Sequence, residues 1–133
     1  MILDTSFCIS LRAGDQNALE AAAALEADQV PARIPTVVVQ ELYLSVGYGD
    51  NSHQNSRDYE RLLANKPVVP LDENIARRAG VLQGEHRAAD DKPNLGSHDA
   101  AIAATGLTYN EAVLTADEDF HSVERLTVET FEE

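Results

Sequence analysis

The sequence predicts an α/β fold, a three-layer α/β/α sandwich around a central parallel sheet. Two observations predict it. Short apolar runs recur along the chain, each followed by a longer stretch whose apolar residues repeat at helical spacing. Strands that alternate with helices imply parallel βαβ units with right-handed crossovers. The length of 133 residues suits one core and not two, so a single domain over 1–133 is expected.

The elements follow in order. Met1-Ile2-Leu3 reads as a short strand that Asp4 ends, and Thr5 or Ser6 can cap a short helix over 7–11. An alanine-rich helix is expected over 15–28, with Leu19, Ala22, Ala23 and Leu25 or Glu26 on its face. Ala32-Arg33-Ile34-Pro35 is a weak strand, ended by a proline that has no N–H for a ladder. Thr36 then caps a helix to about Gly47, with Val38, Glu41, Leu42 and Ser45 on one side. A flexible connection over 47–51 leads to a polar helix over 52–65 with few core positions, predicted to be peripheral. Residues 67–71 form a strand bounded by prolines, near a sheet edge.

Asp72 is read as the N-cap of a helix ending near Gly84, with Ile75, Ala76, Ala79 and Leu82 facing inward. The polar stretch 85–96 reads as a loop. Ser97 is then an expected N-cap, and Asp99 falls in the first turn, where the helix dipole favours a carboxylate. Ile102, Ala103 and Leu107 repeat at helical spacing, and the alanines at 100, 101, 103 and 104 allow close approach to a sheet. Gly106 and Asn110 weaken or stop this helix. Ala112-Val113-Leu114-Thr115 is a strand with Asp117 and Asp119 just beyond it, and Leu126-Thr127-Val128 is the last strand before an acidic tail.

Composition narrows the function. The formal charge is −13, and Lys66 and Lys92 are the only lysines. An acidic, lysine-poor surface resembles that of proteins from salt-loving organisms, whose self-repulsion is screened because the Debye length at 1 M salt is only about 3 Å. A basic partner would serve the same surface, and either reading argues against non-specific nucleic-acid binding through a basic face. No run is apolar enough to span a membrane and no export signal is seen, so the cytoplasm is the expected location. One cysteine, Cys8, excludes an internal disulfide and sits in an apolar run, as a buried thiol would.

The acids point to the chemistry. In an open parallel sheet the crevice lies outside the carboxyl ends of the strands, at the switch point. Asp4 and Asp117 each follow a strand, Asp99 begins the helix between them, and Glu41 lies early in the helix after Ile34. Like charges about 4 Å apart repel by roughly 4 kcal/mol at an effective dielectric near 20. Four gathered carboxylates therefore need protons or a cation, and hard oxygen ligands suit Mg²⁺ or Mn²⁺. Such an ion can activate water and stabilise the leaving oxygen of a phosphodiester.

MILDTS, VVVQELYLSVG, SHDAAIAAT and VLTADEDF occur in the order and spacing seen in PIN-domain nucleases. The resemblance covers nearly the whole chain and is greatest to the short VapC-type toxin ribonucleases. It implies parallel strands in the order 3-2-1-4-5 and a metal site made of Asp4, Glu41, Asp99 and Asp117. It places Asp119 at a commonly acidic position that can reach metal through water or a second ion. Ser6 and Thr115 match hydroxyl positions beside the site, where they could orient a water or ligand. The resemblance further implies RNA cleavage with Mg²⁺ or Mn²⁺ and inhibition by a cognate antitoxin.

Arg12, Arg33, Lys92 and His98 are the cations available to phosphates. Tyr43, Leu44 and Tyr48 offer more apolar surface than one helix face can bury, for an antitoxin on the helices between 15 and 65 or for a homodimer. The alternatives are a catalytically silent PIN-type binding module and a metal-dependent phosphatase. The phosphatase normally needs a second aspartate where Ser6 stands. No Gly-rich dinucleotide loop or P-loop is present.

The charge balance generates one prediction. The melting temperature should rise between low and molar KCl; a value independent of salt would leave the acidity to a basic partner.

Overall fold

The computed structural model describes residues 1–50 and 52–132. Asn51, in the connection expected over 47–51, and Glu133, at the end of the acidic tail, lie outside the described residues. Five short parallel strands carry the fold: β1 (Ile2–Leu3), β2 (Ile34–Pro35), β3 (Val68–Val69), β4 (Val113–Thr115) and β5 (Val128–Thr130). Among the described residues six helices surround them: α1 (Thr5–Arg12), α2 (Gln16–Ala27), α3 (Thr36–Tyr48), α4 (Ser52–Leu63), α5 (Glu73–Ala88) and α6 (Ser97–Tyr109). A 3₁₀ turn, Glu118–Ser122, follows β4.

β1, β4 and β5 form one ladder and β2 and β3 another. The two join where the Leu3 N–H donates to the Arg33 carbonyl at 3.0 Å and the Arg33 N–H to the Met1 carbonyl at 2.9 Å. The parallel order is therefore 3-2-1-4-5, as the sequence resemblance implied. β1 and β4 lie in the middle, and Ile2, Leu3, Val113 and Leu114 are all buried. Central strands covered on both faces are apolar throughout rather than alternating.

α6 is buried along its length, from Ala100 through Gly106. A helix buried all round must be apolar all round, and its small side chains let neighbours come close. Gly106 serves that approach and does not break the helix as expected. A Cβ there would stand 2.8 Å from Leu126 Cδ1 and 3.0 Å from the Glu111 carbonyl. Asn110, in the left-handed region at φ 54°, ends the helix.

Other boundaries also moved. Asp4, Pro35 and Gly96 occupy the N-cap positions assigned to Thr5 or Ser6, Thr36 and Ser97, which lie inside the first turns of their helices instead. Thr36 uses its hydroxyl to accept from the Leu71 N–H. Asp72 does cap α5, accepting from the Ile75 N–H. α5 runs four residues into the expected loop because the following segment folds back on it. His86, buried, bonds through Nδ1 to the Pro93 carbonyl, and Gln83 donates to the Leu95 carbonyl. β5 starts at Val128, since Arg125 takes φ 69° and the chain turns through Leu126 first.

α4 is not merely peripheral. Tyr59 is 2% exposed, with its ring centroid 6.2 Å from that of Tyr43 and the Arg12 guanidinium 5.5 Å above it. Among the described residues no helix is long and apolar enough to cross a membrane. Tyr59→Ala should therefore cost about 3 kcal/mol of stability, the usual range for removing a buried aromatic ring. Denaturant unfolding checks this; a loss below about 0.5 kcal/mol, normal for surface positions, would return α4 to the periphery.

Candidate functional site

Asp4 follows β1, and its backbone N–H completes the ladder by donating to the Leu114 carbonyl at 3.1 Å. It occupies the N-cap of α1 without capping through its side chain. The carboxylate turns inward instead and is 4% exposed. Its Oδ2 accepts from Ser6 Oγ at 2.8 Å and from Thr115 Oγ1 at 2.7 Å. Each hydroxyl has one proton, so both are committed to Asp4. Each then accepts a backbone N–H: Ser6 from Ala116 at 3.1 Å and Thr115 from Asp117 at 2.9 Å. Ser6 and Thr115 thus fix the acid rather than a free water, and Oδ1 remains the oxygen available to a ligand.

The other acids enter from different elements. Asp117 ends the segment after β4 and caps the 3₁₀ turn, its Oδ1 accepting from the Asp119 N–H at 2.9 Å. Glu41, in the second turn of α3, accepts through Oε1 from Thr5 Oγ1 at 2.8 Å, and its Oε2 lies 3.9 Å from His98 Nδ1. Asp99 is in the first turn of α6. Its carboxyl pKa is raised from 3.8 to about 6, first by burial and then by Asp4, Asp117, Glu41 and Asp119. The fields of all five acids therefore meet at one edge of the sheet. Asp119 itself is exposed.

Thr5 is the residue the sequence reading missed. Its only signal was a hydroxyl beside Asp4, already spent on a possible cap. Three of the four cations considered for phosphate contact stand elsewhere. Arg12 is bonded to Asn55 and Asp58, Arg33 to Glu111, and Lys92 to Glu124. Of the candidates, His98 alone stands beside the acids.

A family model for the PIN domain matches residues 1–126. The chain belongs to the PIN-domain family. No curated protein sequence matches it at a significant level. Among solved structures, VapBC2 of Rickettsia felis bound to a promoter DNA fragment matches with a TM-score of 0.87 and 19% identity, over 97% of this chain and 96% of that one. A toxin–antitoxin complex from Klebsiella pneumoniae matches at 0.76 and 25%, over 99% and 98%. VapC20 of Mycobacterium tuberculosis, described as a Sarcin-Ricin loop cleaving toxin, matches at 0.68 and 19%, over 92% and 94%.

In this PIN domain no group of three or more His, Cys, Asp or Glu among the described residues already stands in metal-holding geometry. The donor chemistry nonetheless fits a hard divalent cation: carboxylate oxygens converge, and Asp99 is pushed toward its protonated form by burial and by its neighbours' charge.

That shift sets a pH dependence. The folded state holds the Asp99 proton more tightly than the unfolded chain does. No penalty exists below the unfolded value of 3.8; it grows as pH rises and is complete above about 6. Asp99→Asn should therefore raise the melting temperature of metal-free protein at pH 7, with the gain vanishing toward pH 4. Asp99 is half-exposed, so the gain should be a few degrees at most. A gain that does not change with pH would contradict the assignment.

Proposed function

We propose that this PIN domain is a metal-dependent endoribonuclease that hydrolyses RNA phosphodiester bonds, the toxin of a toxin–antitoxin pair. The observation that carries the reading is the Asp99 carboxyl, raised to about 6 by burial and by four other acids from three other parts of the chain. A fold that gathers mutually repelling carboxylates at a sheet switch point does so against its own stability, as functional sites do. Asp4, Glu41, Asp99 and Asp117 form the proposed ligand set, with Asp119 at its margin. Asp4 would contribute Oδ1, because Oδ2 is filled by two hydroxyls.

Mg²⁺ or Mn²⁺ is the proposed ion; when bound, it would supply the charge that activates water and stabilises the leaving oxygen. The chain's own residues prepare the rest. Ser6 and Thr115 hold the Asp4 carboxylate fixed, and the first turn of α6 brings positive dipole ends toward an incoming phosphate. His98, in that turn, would reach a phosphate oxygen. The net charge of −13 repels RNA at long range, so binding has to be won at the crevice itself.

Family membership and the toxin–antitoxin neighbours support an antitoxin partner. The surface supports one too: Leu44 is 65% and Tyr48 90% exposed on α3, whereas Tyr43 turns in against Tyr59. A homodimer would use the same apolar surface.

Incubating the protein with single-stranded RNA and Mn²⁺, with and without a chelator, tests the reading. Cleavage should be lost with chelator, and Asp4→Asn should lower the rate by about a hundredfold or more, equivalent to about 2.7 kcal/mol. RNA that is bound but never cut, or cut equally by Asp4→Asn, would refute the nuclease assignment.

A further inference from the structure

The five acids are not held alike. Asp4 is locked by two hydroxyls and Asp117 by a neighbouring backbone N–H, both short side chains close to a strand end. Glu41 is different: it reaches in from α3 on a longer side chain with one more rotatable bond, and its side chain is 30% exposed. It shares the crevice with Asp99, and the two repel each other, while its Oε2 lies 3.9 Å from His98 Nδ1. One hydrogen bond holds it in place. Thr5 Oγ1 donates to Glu41 Oε1 at 2.8 Å, across 36 residues of sequence.

Thr5 is well chosen for that task. It follows Asp4 directly and is the first residue of α1, so its position is fixed by the strand end that fixes Asp4. A hydroxyl there sets Glu41 relative to Asp4 with no intervening flexible group. The bond uses Oε1 and leaves Oε2 directed to the side where His98 stands.

We propose that Thr5 is the positioning residue for Glu41, and that the affinity of the acid crevice for a divalent cation depends on the Thr5 hydroxyl. The proposal rests on the metal-dependent reading given above. Residues that orient a ligand from behind typically change metal affinity 10–100-fold when replaced.

Titration of metal-free protein with Mn²⁺, followed by the loss of the free-ion paramagnetic resonance signal, reads the affinity without any activity. Thr5→Val removes the hydroxyl and keeps the shape; Thr5→Ala is a second hydroxyl-free variant, with circular dichroism as the check on folding. Both should weaken Mn²⁺ binding about tenfold, and Thr5→Ser should return it to near the wild-type value. In a Glu41→Gln background, Thr5→Val should have no further effect. A merely structural role would lower the metal-free melting temperature and leave the Mn²⁺ affinity unchanged. Wild-type affinity in Thr5→Val and Thr5→Ala, with weakened binding in Glu41→Gln, would overturn the role of Thr5 and leave the metal reading standing. Absence of Mn²⁺ binding by the wild type, or unchanged binding in both Asp4→Asn and Glu41→Gln, would overturn the metal reading and this proposal with it.

Discussion

A carboxylate taken out of water has to receive its hydrogen bonds from the chain, and at Asp4 that demand organises the centre of the molecule. At 4% exposure the acid has lost nearly all hydration, which is costly for an unpaired charge. Two hydroxyls answer it on one oxygen, and each hydroxyl is itself held by a backbone N–H from the segment after β4. Hydrogen bonds to charged groups contribute about 1.5–3 kcal/mol each. The result ties β1, α1, β4 and the following turn into one rigid corner. Asp117 is part of that corner, since its N–H donates to Thr115.

The two edges of the sheet treat acids in opposite ways. At the far edge, Glu111 accepts from the Met1 amino group and from Arg33. Burial alone would raise its pKa, but those two cations more than offset it and leave it lowered. At the crevice edge five acids meet with no lysine or arginine of the described residues bonded to them, and Asp99 is raised. The first arrangement stabilises the fold; the second opposes it and is tolerated because the buried α6 and the central strands supply the stability.

Much of this was legible in the linear chain. The alternation of short apolar runs with helical repeats, and acids placed just after two of those runs, depend on local periodicity and so survive without the structure. Asp72 as a cap is equally local. The misplaced elements share a different cause. α4 read as peripheral because it is polar around Tyr59, whose partners, Tyr43 and Arg12, are distant in sequence. The extra turn of α5 depended on the 89–96 segment folding back on His86 and Gln83.

What the sequence determined by itself was the class of fold and the set of acids, because both follow from spacing along the chain. Only the tertiary structure decided how those acids are held. Ser6 and Thr115 could have faced water, and Thr5 could have been a cap; packing aimed the first two at Asp4 and the third at Glu41. Arg12, Arg33 and Lys92 could have lined the crevice, and pairing with Asp58, Glu111 and Glu124 took them elsewhere. A side chain's hydrogen-bond partner is set by which elements meet, and residues 36 or 111 positions apart meet only once the sheet order is fixed.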